Sequence, residues 1–149
     1  RLKVINAGVS GDTSAGGLSR IDWALRANPD AILLELGAND SLRGIDPSIT
    51  KMNLQKILTK LEKKGVPILF AGMVAPPNMG KEYGLEFEKA YLELAEANEV
   101  IFYPFFLEGV AGVAELNQED GIHPNKEGVL TIVKKIAPFV RDLLKRVKL

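Results

Sequence analysis

The sequence predicts an α/β domain in which helices cover both faces of a parallel sheet. Short apolar runs alternate with helical patterns along all 149 residues, and no linker or repeat interrupts them, which is typical of one domain spanning 1–149. The run at 31–36 is apolar almost throughout, as a strand buried on both faces requires. In such folds, ligands bind at the carboxyl ends of the strands.

The first two elements are predicted to be a strand and a helix. Leu2–Ala7 is a strand-like apolar run. Leu18, Ile21 and Leu25 then recur at helical spacing, and Asn28-Pro29 ends that helix. The apolar run at 31–36 follows as the second strand.

The second helix has its own start and stop signals. Asp46 is a good N-cap with Pro47 at the first helical position, and Gly65 suits the left-handed position after the last turn. Val66–Met73 is predicted to be the next strand, and Pro67 is tolerated because it lies at the strand start.

The remaining elements are a helix, a short strand and a long final helix. The third helix begins near Lys81, and its aromatic stripe is typical of a core-facing surface. Val100–Tyr103 is the fourth visible strand, and 108–119 is irregular. Asn125 caps the final helix, in which Pro138 should introduce a kink or begin a new segment.

Composition excludes several classes of protein. Lys+Arg and Asp+Glu both number 19, so the formal net charge is +0 and no nucleic-acid partner is expected. The absence of cysteine excludes disulfides, thiolate nucleophiles and Cys-ligated metals. No stretch approaches the ~20 apolar residues of a membrane span. The composition leaves the compartment open.

Three polar clusters are expected to meet at one edge of the sheet: Ser10–Thr13, Gly37–Asp40 and Asp120–His123. A glycine at position 11 lets a backbone N–H approach a ligand closely, and Asn39 ends the second strand with a side-chain amide. A backbone N–H and an amide together can form an oxyanion hole. Each cluster alone is better explained as a turn or a helix cap than as part of a site, and only their convergence on one edge favours a site.

The only histidine of the chain, His123, follows Asp120 by three residues on a glycine-containing loop. A catalytic imidazole needs a partner that fixes its tautomer and supports its positive charge. Asp120 can fold back to do this locally. The pair is therefore predicted to be a general base and its orienting carboxylate.

The residues of these clusters resemble the SGNH (GDSL-type) hydrolases, and most closely the bacterial arylesterase, acyl-CoA thioesterase and lysophospholipase subgroup. The resemblance covers essentially the whole chain and rests on the segments 9–14, 36–44, 76–80, 104–106 and 120–124. It implies a three-layer α/β/α, flavodoxin-like fold and hydrolysis of esters or thioesters through an acyl-enzyme, with no metal or cofactor.

The resemblance also implies roles for individual residues. Gly11 and Asn39 would be oxyanion donors, and Asp120 and His123 would be two members of a catalytic triad. Loops 41–46 and 75–80 are expected to form walls of an acyl pocket. The candidate substrate-binding residues are Leu42, Pro76 and Ile122.

The nucleophilic serine of that family is not found in this chain. It occurs in a Gly-Asp-Ser-Leu motif, and residues 1–149 contain no such motif; Gly11-Asp12-Thr13 matches a different block. Ser10, Ser14 and Ser41 are the substitutes near the predicted site.

We therefore expect the domain to be N-terminally incomplete. In the flavodoxin-like strand order 2-1-3-4-5, the absent first strand would lie between Leu2–Ala7 and Ala31–Leu36. Without it, two apolar strands would face a gap with unpaired backbone groups. The missing segment is expected as a separate polypeptide, as residues before Arg1 or beyond a break in the chain, and the 149 residues alone are expected to be inactive.

Two other functions remain open at this point. A non-catalytic or phosphate-binding domain could hold an anion in Val9–Gly17, although no Gly-x-x-x-x-Gly-Lys-Ser/Thr motif is present and Asp12 would repel a phosphate. Alternatively, the site could bind Mg²⁺ or Mn²⁺ through the side chains of Asp12, Asp40, Asp120 and His123.

Overall fold

The computed structural model describes residues 2–147, and within this range the sheet has three parallel strands. They pair in chain order, with Leu33 opposite Leu69 and Leu69 opposite Ile101. The strands are Ile32–Glu35 (β1), Ile68–Ala71 (β2) and Ile101–Tyr103 (β3).

One α-helix precedes the first strand, and the others connect the strands or follow the last of them. In the described part of the chain the α-helices are Ser14–Ala24 (α1), Ala38–Leu42 (α2), Pro47–Lys64 (α3), Lys81–Ala97 (α4) and Lys126–Lys145 (α5). Short 3-10 helices occur at Leu25–Ala27, Pro77–Met79 and Ala114–Leu116. Of the helices within 2–147, none combines the length and the apolar character needed to cross a membrane.

The predicted helix ends are confirmed. The Asp46 side chain accepts a hydrogen bond from Ser48 N, and Gly65 adopts a left-handed φ of 69° after α3. Asn125 caps α5 by accepting from two amides of its first turn. α5 runs through Pro138 as one element, so no new helical segment begins there.

The two faces of the sheet are covered by different helices, as the predicted three-layer class requires. On one face, Leu34 and Phe70 pack against α1, α3 and α4. The Phe70 ring stacks on Tyr91 of α4 at 5.5 Å, which confirms the aromatic stripe as core. On the other face, Leu69 and Tyr103 pack against α5. The carboxyl ends of the strands lie between these two layers.

The predicted strand Leu2–Ala7 is wrong for this structure. The segment forms no strand, and Leu2 and Val4 are 70% and 90% exposed. A strand exists only when another strand pairs with its backbone groups, and no strand among residues 2–147 pairs with this segment. β1 has only one neighbour for the same reason, and Leu33 on it is 44% exposed.

Gly37, which joins β1 to α2, cannot carry a side chain. Its φ is +110°, and a Cβ there would lie 2.0 Å from Tyr91 Oη, which donates to the Leu36 carbonyl at 2.6 Å. Gly37→Ala should lower the free energy of unfolding by about 2–5 kcal/mol, combining backbone strain and overpacking. Urea denaturation of the full-length protein measures this change.

Gly65→Ala is the matched control. Gly65 also has a positive φ, but its Cβ would meet nothing within 4 Å. The control should cost only about 1–2 kcal/mol of backbone strain. If Gly37→Ala and Gly65→Ala lower the free energy of unfolding equally, the close approach of Tyr91 to Gly37 has no effect on stability.

Candidate active site

Asp120 and His123 form a closed pair in the loop before α5. Asp120 Oδ2 lies 2.7 Å from His123 Nδ1, and Asp120 Oδ1 accepts from the backbone N–H groups of Ile122 and His123, both at 3.0 Å. Gly121 allows this turn with a φ of 73°. Because an ionised carboxylate only accepts hydrogen bonds, Nδ1 carries the proton and Nε2 is left as the basic nitrogen.

The same hydrogen bonds set the charge of Asp120. The hydrogen bond from the His123 side chain, followed by those from the His123 and Ile122 backbone, lowers the pKa of Asp120 from 3.8 to about 2. The carboxylate therefore stays ionised throughout the neutral range. The side chains of His123 and Asp120 are 60% and 44% exposed, so an incoming group can reach the imidazole.

Asn39 and Gly11 meet at the other predicted part of the site. Asn39 lies in the first turn of α2, directly after β1, and its Nδ2 donates to the Asp12 carbonyl at 3.0 Å. Arg43 Nη2 donates to the Gly11 carbonyl, also at 3.0 Å. The carbonyls of Gly11 and Asp12, which are consecutive in the loop, are thus both held by hydrogen bonds from side chains in or just after α2.

This arrangement leaves hydrogen-bond donors available for a ligand. The Gly11 N–H has no acceptor among residues 2–147, and Gly11 has a φ of 78°. The bond to Asp12 uses one of the two amide hydrogens of Asn39 and fixes the plane of its amide. No hydrogen bond within the described range joins the Gly11–Asn39 pair to the Asp120–His123 pair.

The side chains of Asp12 and Asp40, the two other aspartates named for a metal site, are bound to partners other than Asp120 and His123. Asp12 pairs with Arg20 Nε at 2.6 Å, and Arg20 also donates to the Ala7 carbonyl. Asp40 is completely buried and binds Ser14 and Thr50. Within residues 2–147, no three Asp, Glu or His side chains gather closely enough to hold a metal ion.

The serines inside the chain are poorly placed to act as nucleophiles. Ser14 and Ser41 are buried, and Ser41 Oγ donates to the Ala38 carbonyl. Ser10 lies in an exposed turn. No hydroxyl of the described residues is hydrogen-bonded to His123 Nε2.

The two loops predicted to form the acyl pocket lie side by side. A Cβ at Gly44 would lie 3.3 Å from Met79 Cε, and Tyr83 Oη donates to the Ile45 carbonyl at 2.7 Å. An open cleft of about 610 Å³ runs between them, lined by Gly44, Asp46, Pro47, Met79, Gly80, Lys81, Glu82, Tyr83 and Glu86.

The three candidate substrate-binding residues lie elsewhere. Leu42 and Ile122 are 46% and 47% exposed, and Pro76 is half-buried. None of them lines this cleft.

Sequence reasoning missed the residues that hold the site in place. Arg20 and Arg43 reach the Gly11 loop from 8 to 32 positions away in the sequence, and no periodicity marks such contacts. Asp40 was expected at a turn or a metal site and is instead buried. Its position directly after Asn39 is the one signal that could have suggested a supporting role.

The chain is similar to known proteins in both sequence and structure. The sequence profile of the family described as GDSL-like Lipase/Acylhydrolase matches residues 1–129. Esterase TesA of Pseudomonas aeruginosa is 39% identical over 143 residues, which are 95% of this chain and 71% of that protein. Thioesterase 1/protease 1/lysophospholipase L1 of Escherichia coli strain K12 is 36% identical over 143 residues, 95% of this chain and 65% of that protein.

A solved structure shows the same similarity. The crystal structure of TesA superimposes with a TM-score of 0.90 at 39% sequence identity, covering 95% of this chain and 79% of that one. The α/β fold described above is therefore shared over nearly all of the chain, which itself spans about two thirds of the length of these curated relatives.

Proposed function

Because the chain belongs to the GDSL-like lipase/acylhydrolase family, we propose that the protein is a serine hydrolase that cleaves carboxylic esters or thioesters through an acyl-enzyme. The observation that carries this proposal is the Asp120–His123 pair at 2.7 Å, which leaves Nε2 without a partner among residues 2–147. An oriented imidazole with an unengaged basic nitrogen is what an attacking hydroxyl requires.

In the proposed mechanism, a serine hydroxyl attacks the carbonyl carbon of the substrate while His123 Nε2 accepts its proton. Asp120 holds the imidazole and stabilises its positive charge. The tetrahedral intermediate collapses as His123 returns the proton to the leaving alcohol or thiol. Water then attacks the acyl-enzyme by the same proton path and releases the acid.

We assign the developing oxyanion to the Gly11 N–H, to the second amide hydrogen of Asn39 and to the serine's own N–H. Arg43 and Arg20 hold the Gly11 loop through its carbonyls and through Asp12. The Gly11 N–H and the Asn39 amide are thus held in place before charge develops, and such preorganisation is the main source of their effect on rate.

We propose that the serine comes from a polypeptide segment outside these 149 residues, which pairs with the open edge of β1. Leu33 on β1 is exposed, and the apolar side chains of Leu2 and Val4 are also uncovered. At the carboxyl end of β1, burial raises the pKa of Glu35, whose side chain has no hydrogen-bond partner among residues 2–147. A further strand would cover this apolar surface and give β1 its second neighbour.

Asn39→Ala in the full-length protein should lower kcat by about 10²–10³ and change KM much less, because an oxyanion donor acts mainly on the transition state. Initial rates with p-nitrophenyl acetate measure both constants. Asn98→Ala is the matched control. Asn98 also donates to a backbone carbonyl, that of Leu94, but it precedes β3 at the opposite end of the sheet.

The control should lower stability and leave kcat close to that of the unmodified protein. If Asn39→Ala raises KM and leaves kcat unchanged, the assignment of Asn39 to the oxyanion hole is wrong.

The phosphate-binding alternative is weakened by contacts in the first turn of α1. Ser14 N already donates to Asp40, and Gly16 N donates to Thr13. These are the amides that an anion at this helix end would use. Ester hydrolysis is therefore the function that we propose.

A further inference from the structure

Asp40 is the only charged residue among the fully buried side chains of the described chain, and it lies at the centre of a polar network. Its Oδ2 accepts from Ser14 N at 2.7 Å, and its Oδ1 accepts from the hydroxyls of Ser14 and, at 3.0 Å, Thr50. Asn53 Nδ2 donates to Ser14 Oγ at 3.0 Å. The four side chains satisfy one another inside the protein.

No lysine, arginine or histidine belongs to this network. The compensating positive potential comes from α1, because Ser14 is the first residue of that helix and its N–H is one of the amides that an α-helix leaves unpaired. A buried carboxyl held in this way is costly to retain unless its neighbours satisfy all its acceptors. Such a group ties together the elements that supply its donors, here α1, α2 and α3.

Asp40 lies next to Asn39, and the network around it therefore reaches the predicted oxyanion donors. Asn39 and Asp40 are adjacent, and their side chains bind groups two residues apart on one segment, the Asp12 carbonyl and the Ser14 N–H. That segment follows Gly11 directly. The bond from Ser14 N to Asp40 therefore holds the end of the Gly11 loop against α2, next to the contact that Asn39 makes.

We propose that Asp40 is a positioning residue for the oxyanion hole: through Ser14 it sets the geometry between the Gly11 N–H and the Asn39 amide. The inference rests on the proposed function. Asp40 itself is buried and does not touch the substrate, so its effect on rate passes through Asn39 and the Gly11 loop.

Asp40→Asn in the full-length protein tests the inference. The variant keeps the shape of the side chain and one acceptor for Ser14 N, but it replaces charge-assisted hydrogen bonds with weaker neutral ones. We expect kcat with p-nitrophenyl acetate to fall about tenfold, with KM within about twofold. Ser14→Ala, which removes only the hydroxyl arm, should show a smaller loss in the same direction.

The double variant Asn39→Ala/Asp40→Asn separates positioning from a general structural role. If Asp40 acts through Asn39, the double variant should be no slower than Asn39→Ala alone, within about threefold. Asn98→Ala supplies the reference for a loss of stability at a distance from the site. The inference is overturned if kcat of the double variant falls by the product of the two factors measured for Asn39→Ala and Asp40→Asn separately. It is also overturned if Asp40→Asn leaves kcat unchanged.

The outcome for His123 keeps the two proposals apart. If His123→Ala retains hydrolysis, the proposed function is wrong. If His123→Ala is inactive while the losses at positions 39 and 40 multiply, only the role of Asp40 is wrong.

Discussion

His123→Ala in the full-length protein is expected to abolish hydrolysis of p-nitrophenyl acetate, lowering kcat by about 10⁴-fold or more. The substitution removes the base that accepts the serine proton and returns it to the leaving group. The fold should survive, because the His123 side chain is 60% exposed and its only hydrogen bond in the described structure is to Asp120. Circular dichroism and thermal unfolding check that the fold is retained.

Gln118→Ala serves as the control for this loop. The Gln118 side chain donates to the Pro124 carbonyl at 3.1 Å, so the variant loses a loop hydrogen bond without touching the imidazole. It should keep nearly full activity. Hydrolysis that persists in His123→Ala at the level of this control would end the assignment of His123 as general base.

Asp120→Asn should lower kcat by about 10⁴-fold with little change in KM. The carboxylate, whose pKa is lowered to about 2 mainly by the hydrogen bond with His123, only accepts at neutral pH and so keeps the proton on Nδ1. An amide can instead donate to Nδ1, which moves the imidazole proton to Nε2. That nitrogen could then no longer accept the proton of the serine.

Glu119→Gln is the matched control for Asp120→Asn. It removes the neighbouring carboxylate, which makes no hydrogen bond to His123. Activity should remain near that of the unmodified protein. Equal losses at positions 119 and 120 would mean that general loop charge, and not the Asp120–His123 hydrogen bond, supports the reaction.

The parts of the fold that could be predicted are those decided by neighbouring residues. Asp46 and Asn125 begin helices and Gly65 ends one, each through contacts within three residues and each placed as expected. Leu2–Ala7 shows the limit of this reasoning. Its apolar side chains suit a strand, but a strand also needs a partner, and sequence pattern alone cannot supply one.

In the candidate site, too, residues close together in the sequence were easier to place than residues far apart. Asp120 and His123 are three residues apart, so a local turn is enough to join them. Gly11 and Asn39 are far apart in sequence, and the rule that carboxyl ends of parallel strands share one edge predicted that they meet. The strand on which this rule relied for Gly11, Leu2–Ala7, does not form, and the contact is made instead by the Asn39 amide and the Asp12 carbonyl.

The supporting contacts of Arg20, Arg43 and Asp40 could not be predicted. Long or buried polar side chains have many alternative partners, and only the packed helices decide among them.

The most direct test of the central claim is to treat the full-length protein with an organophosphate and locate the covalent adduct by mass spectrometry. We predict a single adduct on a serine in a segment outside residues 1–149, formed in the presence of EDTA and lost in His123→Ala. An adduct on Ser10, Ser14 or Ser41, or an active enzyme that is inhibited by EDTA and forms no adduct, would contradict the claim that His123 activates a serine supplied from outside these residues.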